Sequence, residues 1–454
     1  MPDSRSTHLN TFLDTESQSA KLFREAKGYI PYCTSKANQF MEPNPLFVEK
    51  GSGCWVTDVE GKRRLDCSNG FTALIHGHAF APVVEAVSEQ LLRGTNFSFP
   101  VAAELKLAKL MIERVQGLEK IRFFNSGTEA VMMAIKAARV FTDRDRIAKF
   151  EGAYHGYYDD VQISMNSIAP EWGDVTAPAS LPGSGGIPDH RVQETLILPW
   201  NELDLIERLI IQHKNELAAI VIDPFCNIMG FIPPDPGFLD QLHTMAQAHG
   251  ILIIFDEVLS FRLACGGAQE LYGGNPDLTA FGKIMGGGFP IGAVGGKEDV
   301  MAVFNPGSKG NRIIAGGTYS ANPVSMVAGL AAMKAYDLDQ VTRLADMGSR
   351  LRQRLTDVFV KHDMPGQVTG EGSLYRLMMT DRTLHSYRDT VDSSQGERFF
   401  GSDKRSKDLF LALLDEGIIA GNNGLGCLST PMGEAELDHI EDAFDKALST
   451  IGNE

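Results

Sequence analysis

ILIIFDEVLSFRLACGGAQELYGGNPDLTAFGKIMGGG, residues 251–288, opens on an apolar run that stops at an acid and closes on a shorter run that stops at a lysine and three glycines. Continuous apolar runs of this length suit strands buried on both faces of a parallel sheet. If both runs belong to one such sheet, their ends share a rim, and Asp256 and Lys283 meet where ligands bind in that architecture. Burial disfavours the ammonium form, so a lysine on a dry rim loses its proton more readily than one in water. A neutral amine is what imine formation with an aldehyde needs. Each residue alone also has an ordinary reading: Asp256 as a strand end or helix cap, Lys283 as a side chain running its apolar stem out to solvent. The glycines at 286–288, 292, 295 and 296 serve either as turn formers or as places where a bulky ligand can approach the backbone.

Outward from this stretch the alternation continues. KIRFFN precedes the helical TEAVMMAIKAARVFT; RIAKFEG, LDLIERLIIQH, LAAIVIDPF and PGFLDQLHTMAQAHG follow in turn. Strands alternating with amphipathic helices from about 115 to 325 predict an α/β fold with a mostly parallel sheet. Before it, residues 1 to about 18 are polar and frayed, SAKLFREAKGY reads as a helix, and the stretch from Leu46 to Gly70 as a small β meander. PVVEAVSEQLLRG and ELKLAKLMIERV follow as helices. The last part opens on the helical MVAGLAAMKAYDL and ends on the helical ELDHIEDAFDKALSTI. This divides the chain into 1–70 (contributing to a small domain), 71–325 (large domain) and 326–454 (small α/β domain). TAPASLPGSGGIPD, 176–189, reads as a mobile surface loop.

Composition narrows the function. The chain has 454 residues, long enough for more than one subdomain. With 58 acidic against 42 basic residues and a net charge of −16, a general nucleic-acid or anionic-membrane binder is disfavoured. Six scattered cysteines (Cys33, Cys54, Cys67, Cys226, Cys265, Cys427) form no C-x-x-C pair, so no metal site is expected and a reduced, cytoplasmic setting is. Neither an apolar leader nor a membrane-length apolar run is present in the sequence, which reads as a soluble, unexported protein.

Two further stretches carry chemistry. In RFFNSGTEA a strand runs through Ser126, Gly127 and Thr128 straight into a helix, which makes either an ordinary N-cap or a phosphate cup of backbone N–H groups and hydroxyls. In KFEGAYHG, Tyr154 and His155 are either core and rim aromatics or a flat face for a ring. With no Walker loop and no strand-borne G-x-G-x-x-G, a small phosphorylated cofactor is favoured over a nucleotide. Phosphate cup, aromatic plate, strand-end acid and isolated lysine together meet the requirements of pyridoxal phosphate.

RFFNSGTEA, KFEGAYHG, FDEV, PDLTAFGKIMGGGFPIGAVGG and GGTYSANP resemble the class III (ω-type) aminotransferases among the fold-type I pyridoxal-phosphate enzymes, with the glutamate-1-semialdehyde 2,1-aminomutases as nearest look-alikes. The resemblance implies a large domain with a mostly parallel seven-stranded sheet and a smaller α/β domain. It implies that Lys283 is the Schiff-base lysine, that Asp256 pairs with the pyridine nitrogen, and that Tyr154 and Val258 pack on opposite faces of the ring. Ser126, Gly127 and Thr128 hold the phosphate, with Thr318 of GGTYSANP reaching the phosphate of a neighbouring subunit, so a homodimer with shared sites follows. His155 and Asp223 complete the cofactor contacts.

The chain departs from the aminomutase pattern. Phe71 stands where that pattern has tryptophan, the stretch AGNNGLGCLS carries no acid, and Asp223 replaces the usual glutamate before proline. Lys36 lies near the family's substrate arginine and would bind an anionic group as a point charge or simply face solvent. Arg262, Arg376 and Tyr319 are further substrate-side candidates. The expected function is an aminotransferase moving an amino group between a small amine or amino acid and a carbonyl acceptor. The alternatives are an aminomutase or ammonia-eliminating lyase on the same scaffold and, from another class, a non-catalytic pyridoxal-phosphate-binding protein.

Overall fold

The computed structural model describes residues 14–392, 397–399, 401 and 403–451, so the reading of the first 13 residues as frayed lies outside the described residues. Strands β1 (Lys120–Phe124), β2 (Arg146–Phe150), β3 (Thr195–Leu198), β4 (Leu217–Ile222), β5 (Leu252–Asp256), β6 (Leu278–Gly282) and β7 (Gly292–Gly296) form one sheet, in the spatial order β1-β7-β6-β5-β4-β2-β3. β7 alone runs against the direction of the other six. This is the mostly parallel seven-stranded sheet that the family resemblance implies.

Apolar side chains cover both faces, which is why the strands read as continuous rather than alternating apolar runs. Along β4, Ala219 and Val221 pack with helix α1 (Gly127–Thr142) through Ala130, Val131, Ala134, Ile135 and Ala138. Ile220 and Ile222 point the other way, toward α2 (Leu203–His213) and α3 (Phe238–Gln247), meeting Ile206, Ile210, Phe238 and Leu242. The alanines spaced along α1 let it lie close to the sheet.

The chain ends build the rest. Val48–Ser52, Trp55–Asp58 and Arg63–Asp66 form the expected antiparallel meander, and Ile418–Ile419 joins it as a fourth strand parallel to Leu65–Asp66. Arg64, fully buried, bonds Asp58 at 2.9 Å and the Leu414 carbonyl, fastening the meander to the C-terminal part. Gln367–Thr369, Leu374–Met378 and Leu425–Cys427 make a second antiparallel sheet. Helix Leu338–Lys361 lies against Glu434–Ile451 with Arg354 bonded to Asp438 and Glu441. No described helix is long and apolar enough to cross a membrane.

Two strands escape the sequence reading, and one expectation changes. β3 is only four residues long. β7, GAVGG, has the glycines of a turn, but space rather than turning demands them: a Cβ at Gly292 would sit 1.9 Å from the Ser126 carbonyl oxygen, and one at Gly296 2.2 Å from that of Asp277. The supposedly mobile loop is tied down over its first half. Ala177–Pro178 pairs with Gly173–Asp174, Ser164 donates its N–H to the Leu181 carbonyl at 2.7 Å, and Gly183 donates to Gln162 at 2.8 Å.

Gly292→Ala therefore forces β7 away from the start of α1. A stability loss of at least about 1–3 kcal/mol is expected, as for overpacked cores, measured by urea unfolding; an unchanged midpoint and slope would show that the strand has room to move.

Candidate active site

β5 and β6 are parallel, with Asp256 opposite Ala280, so Asp256 and Lys283 emerge at the same edge of the sheet. Lys283 begins the turn after β6 with φ +47°, a left-handed backbone that is uncommon for a side chain other than glycine or asparagine. Gly287 and Gly288, with φ +59° and +95°, complete that turn. The lysine amine makes neither a hydrogen bond nor an ion pair with a described residue. Burial pushes its pKa down from the usual lysine value; the carboxylates of Asp256 and Asp223 pull it up, and Arg262 lowers it further.

Asp256 is buried and held from two sides. Its Oδ1 accepts the Val258 N–H at 3.0 Å and its Oδ2 lies 2.8 Å from Nδ1 of His155. His155 is 2 % exposed; burial lowers its pKa against the pull of Asp256. A neutral ring with its proton on Nδ1 satisfies the carboxylate and leaves Nε2, buried and without a partner, as a bare acceptor. The sequence reading of His155 as part of a flat stacking face gives way to this edge-on contact. Asp223, directly after β4, accepts the Phe225 N–H on its Oδ1 at 3.0 Å; burial, and then the charge of Asp256, raises its pKa to about 8.

At the start of α1, the Ser126 hydroxyl oxygen accepts the Glu129 N–H at 3.1 Å, and the Glu129 carboxylate returns to the Asn125 N–H at 2.6 Å. The N–H groups of Gly127 and Thr128 belong to the first helical turn, which has no intrahelical acceptors, and point outward. Three glycines let neighbouring groups pack close around this helix start. A Cβ on Gly127 would stand 2.7 Å from Val258, one on Gly282 3.2 Å from Val258, and one on Gly156 2.5 Å from the Thr128 hydroxyl. Ser126, Gly127, Thr128, Val258 and the β6 end thus converge. Tyr154, 37 % exposed, lies edge-on to Tyr157 with ring centroids 6.3 Å apart.

The remaining candidates differ in exposure and in partners. Thr318 and Tyr319 are exposed, with Tyr319 at 63 %. Lys36 places its ammonium 5.3 Å from the centroid of the Phe71 ring, so these two do meet. Arg262 is 1 % exposed and donates to Ser373, Thr72 and Leu428; its guanidinium is turned onto protein acceptors, which corrects its place among the substrate-facing residues. Arg376 is buried and bonded to Asn227 and the Asn423 carbonyl. Glu257, the second acid of FDEV, turns inward to accept the N–H groups of Ala268 and Gln269 at 2.7 and 2.9 Å. Sequence reasoning missed the pairing of His155 with Asp256. Its only signal was a histidine just beyond a strand of the same sheet that carries the acid.

Sheet, lysine, paired acids and helix N-terminus define a class: the chain belongs to the class III aminotransferases, whose family model matches residues 37–448. A glutamate-1-semialdehyde 2,1-aminomutase of Methanosphaera stadtmanae is 37% identical over 96% of this chain and 97% of its own length. Among solved structures, an omega-transaminase from Sphaerobacter thermophilus is 44% identical, with a TM-score of 0.92 over 97% of this chain and 99% of that one. A transaminase with PLP bound is 36% identical, with a TM-score of 0.87 over 96% of this chain and 98% of that one. The family fold is fold-type I and its cofactor is pyridoxal phosphate. The residues present here fit that group: an amine without a hydrogen-bond or ion-pair partner among the described residues, a buried carboxylate held by two donors beside it, and a helix N-terminus that glycines let pack close to Val258.

Asp223 gives the site a pH signature in the cofactor-free protein. Its carboxyl binds a proton up to about pH 8 when folded, against a reference value of 3.8. Between these values the folded chain holds more protons than the unfolded one, so this contribution to stability is full below about pH 4 and is lost as pH rises through about 8. Asp223→Asn should make the cofactor-free protein's unfolding midpoint less sensitive to pH between about 5 and 8.5. Superimposable pH profiles for the two proteins would contradict the assigned burial.

Proposed function

We propose that this chain is a pyridoxal-phosphate enzyme that moves an amino group on a small amine or amino acid, and that Lys283 is its covalent anchor and proton carrier. The observation that carries the reading is the Lys283 amine, its pKa lowered by burial and without a hydrogen-bond partner among the described residues, beside the Asp256–His155 pair. Bound there, the cofactor supplies an aldehyde that captures primary amines and a protonated ring that takes up the electron pair left when the substrate carbon loses its proton.

The protein's own residues do the rest. Asp256, fixed in direction by His155 and the Val258 N–H, would hold the proton on the ring nitrogen. Gly127 and Thr128 N–H groups with the Ser126 and Thr128 hydroxyls would hold the phosphate. Val258 would cover one ring face and Tyr154 the other, while Asp223 lies close enough to respond to the charges of Asp256 and Lys283. Lys283, released when a substrate amine takes its place, would carry a proton away from the substrate carbon and return one, first as base and then as acid. Lys36 beside Phe71 would offer an anionic substrate group a cation next to an apolar wall.

An aminomutase returns the amino group to a neighbouring carbon of the same substrate; an aminotransferase hands it to a second molecule. The curated relatives named aminomutases support the first outcome better than the aminotransferase expected from sequence. The second outcome keeps one specific support, the 44% identity to an omega-transaminase. We further propose a homodimer with shared sites in a cytoplasmic setting. Exposed Thr318 and Tyr319, beside Ile314 at 90 % exposure, support a second copy covering this segment. The division into 1–70, 71–325 and 326–454 is part of the same proposal. It is supported by a large sheet drawn wholly from residues 120–296 and by the pairing of Leu65–Asp66 with Ile418–Ile419.

Purified protein loaded with pyridoxal phosphate should consume an amino donor. Turnover of glutamate 1-semialdehyde without any added carbonyl acceptor establishes the mutase outcome; an absolute acceptor requirement establishes transfer, and ammonia release without acceptor establishes elimination. Lys283→Ala should lower kcat by at least about 10²-fold, the low end for loss of a general acid–base group, with the unfolding midpoint of the cofactor-free protein kept or raised. Wild-type turnover in that variant refutes the assignment.

A further inference from the structure

Arg262 is a buried cation whose hydrogen-bond partners are all neutral. Its Nε donates to the Ser373 hydroxyl at 2.9 Å, Nη1 to the Thr72 carbonyl at 3.1 Å and Nη2 to the Leu428 carbonyl at 2.5 Å; its own carbonyl accepts the Tyr336 hydroxyl at 2.7 Å. Removing a guanidinium from water without a carboxylate to pair it costs several kcal/mol, so a site that keeps one there has a use for its geometry. One arm reaches an unusual segment. Asn69, Gly70, Phe71 and Thr72 have φ of +47°, +63°, +60° and +68°, four consecutive left-handed residues of which only one is glycine. Each non-glycine residue in this region costs on the order of 1–2 kcal/mol, and Thr72, being β-branched, fits it poorly. Asn69 helps hold the turn by donating to the Cys427 carbonyl at 3.0 Å. The turn sets Phe71 half-buried beneath the Lys36 ammonium.

We infer that Arg262 is the positioning residue of the substrate wall: by capturing the Thr72 carbonyl it holds the strained 69–72 turn and so presents Phe71, with Lys36, to the substrate. The inference deepens the proposed function and rests on that reading for the identity of the wall. The residue lies six positions after Asp256, on the turn Ser260–Leu263, so the segment that carries the ring-binding acid also fixes the surface against which the substrate lies. An anionic substrate with an apolar portion is the class this wall selects. Lysine at 262 keeps the charge but has no planar fork to span three acceptors.

Arg262→Lys in the cofactor-loaded enzyme should raise KM for the amino donor by about tenfold or more while kcat stays within about threefold, the pattern of lost binding shared by ground and transition states. Glycine adopts φ +68° without steric cost, so Thr72→Gly added to Arg262→Lys should recover most of the KM. Ser373→Ala, which removes one arm and leaves the arginine, should give a smaller rise in the same direction and serves if Arg262→Lys does not fold. A cofactor-independent readout runs beside these: 4-fluorophenylalanine placed at position 71 should show a ¹⁹F resonance that shifts or broadens in Arg262→Lys and returns when Thr72→Gly is added. Folded Arg262→Lys with unchanged KM and an unchanged ¹⁹F resonance overturns the inference, as does a lower melting temperature with no change in KM and no rescue. Failure of the wild-type protein to bind pyridoxal phosphate would instead remove the functional reading, and the fluorine resonance would still decide whether Arg262 holds the turn.

Discussion

A half-buried amine with no hydrogen-bond partner among the described residues is the constraint around which this structure is arranged. Lys283 stands at the edge of the sheet, where burial and the Arg262 charge drive protons off it and the Asp256 carboxylate draws them back. Neither influence alone suits chemistry near neutral pH. A lysine paired directly with an acid stays charged and unreactive, and one in a purely apolar wall has nothing to move its proton toward or away from. The intermediate arrangement requires Asp256 to be close yet occupied, and His155 and the Val258 N–H occupy it.

That requirement explains the density of glycine near the site. Gly127, Gly156, Gly282 and Gly292 stand where side chains would collide with Val258, Thr128 or the Ser126 backbone. The start of α1, the end of β6 and the antiparallel β7 can therefore crowd into one corner. A helix N-terminus with free N–H groups then sits within a few ångströms of a strand-end lysine, and the two ends of a phosphorylated aldehyde can be held by rigid elements rather than by loops.

Much of this was legible in the sequence because the signals were periodic or local. LDLIERLIIQH becomes a helix over Leu203–His213, and ILIIFD becomes β5, since their apolar patterns match the surfaces they bury. The shared rim of Asp256 and Lys283 followed from strand order alone. β7 was not legible, because its glycines answer to neighbours outside the strand, Ser126 for Gly292 and Asp277 for Gly296, and a composition of turn residues hides a strand whose shape is set by tertiary crowding. His155 was visible as an aromatic but not as a donor to Asp256. Arg262 looked like a candidate for an external anion because the sequence does not reveal that Thr72, Ser373 and Leu428 lie around it. The proposed substrate wall is the least readable part, since it draws on segments near residues 36, 71, 262, 373 and 428, and no local pattern records such a convergence.

The pairing of Leu65–Asp66 with Ile418–Ile419 carries a consequence for biosynthesis. A ribosome delivers the chain from its N-terminus, so the early meander waits through more than 350 further residues before its fourth strand exists. During that interval the Arg63–Asp66 edge is open to any passing strand, and the Arg64 guanidinium lacks the Leu414 carbonyl that it meets in the finished fold. The large sheet, drawn from a continuous middle stretch, can close first and act as the platform on which both ends later come to rest.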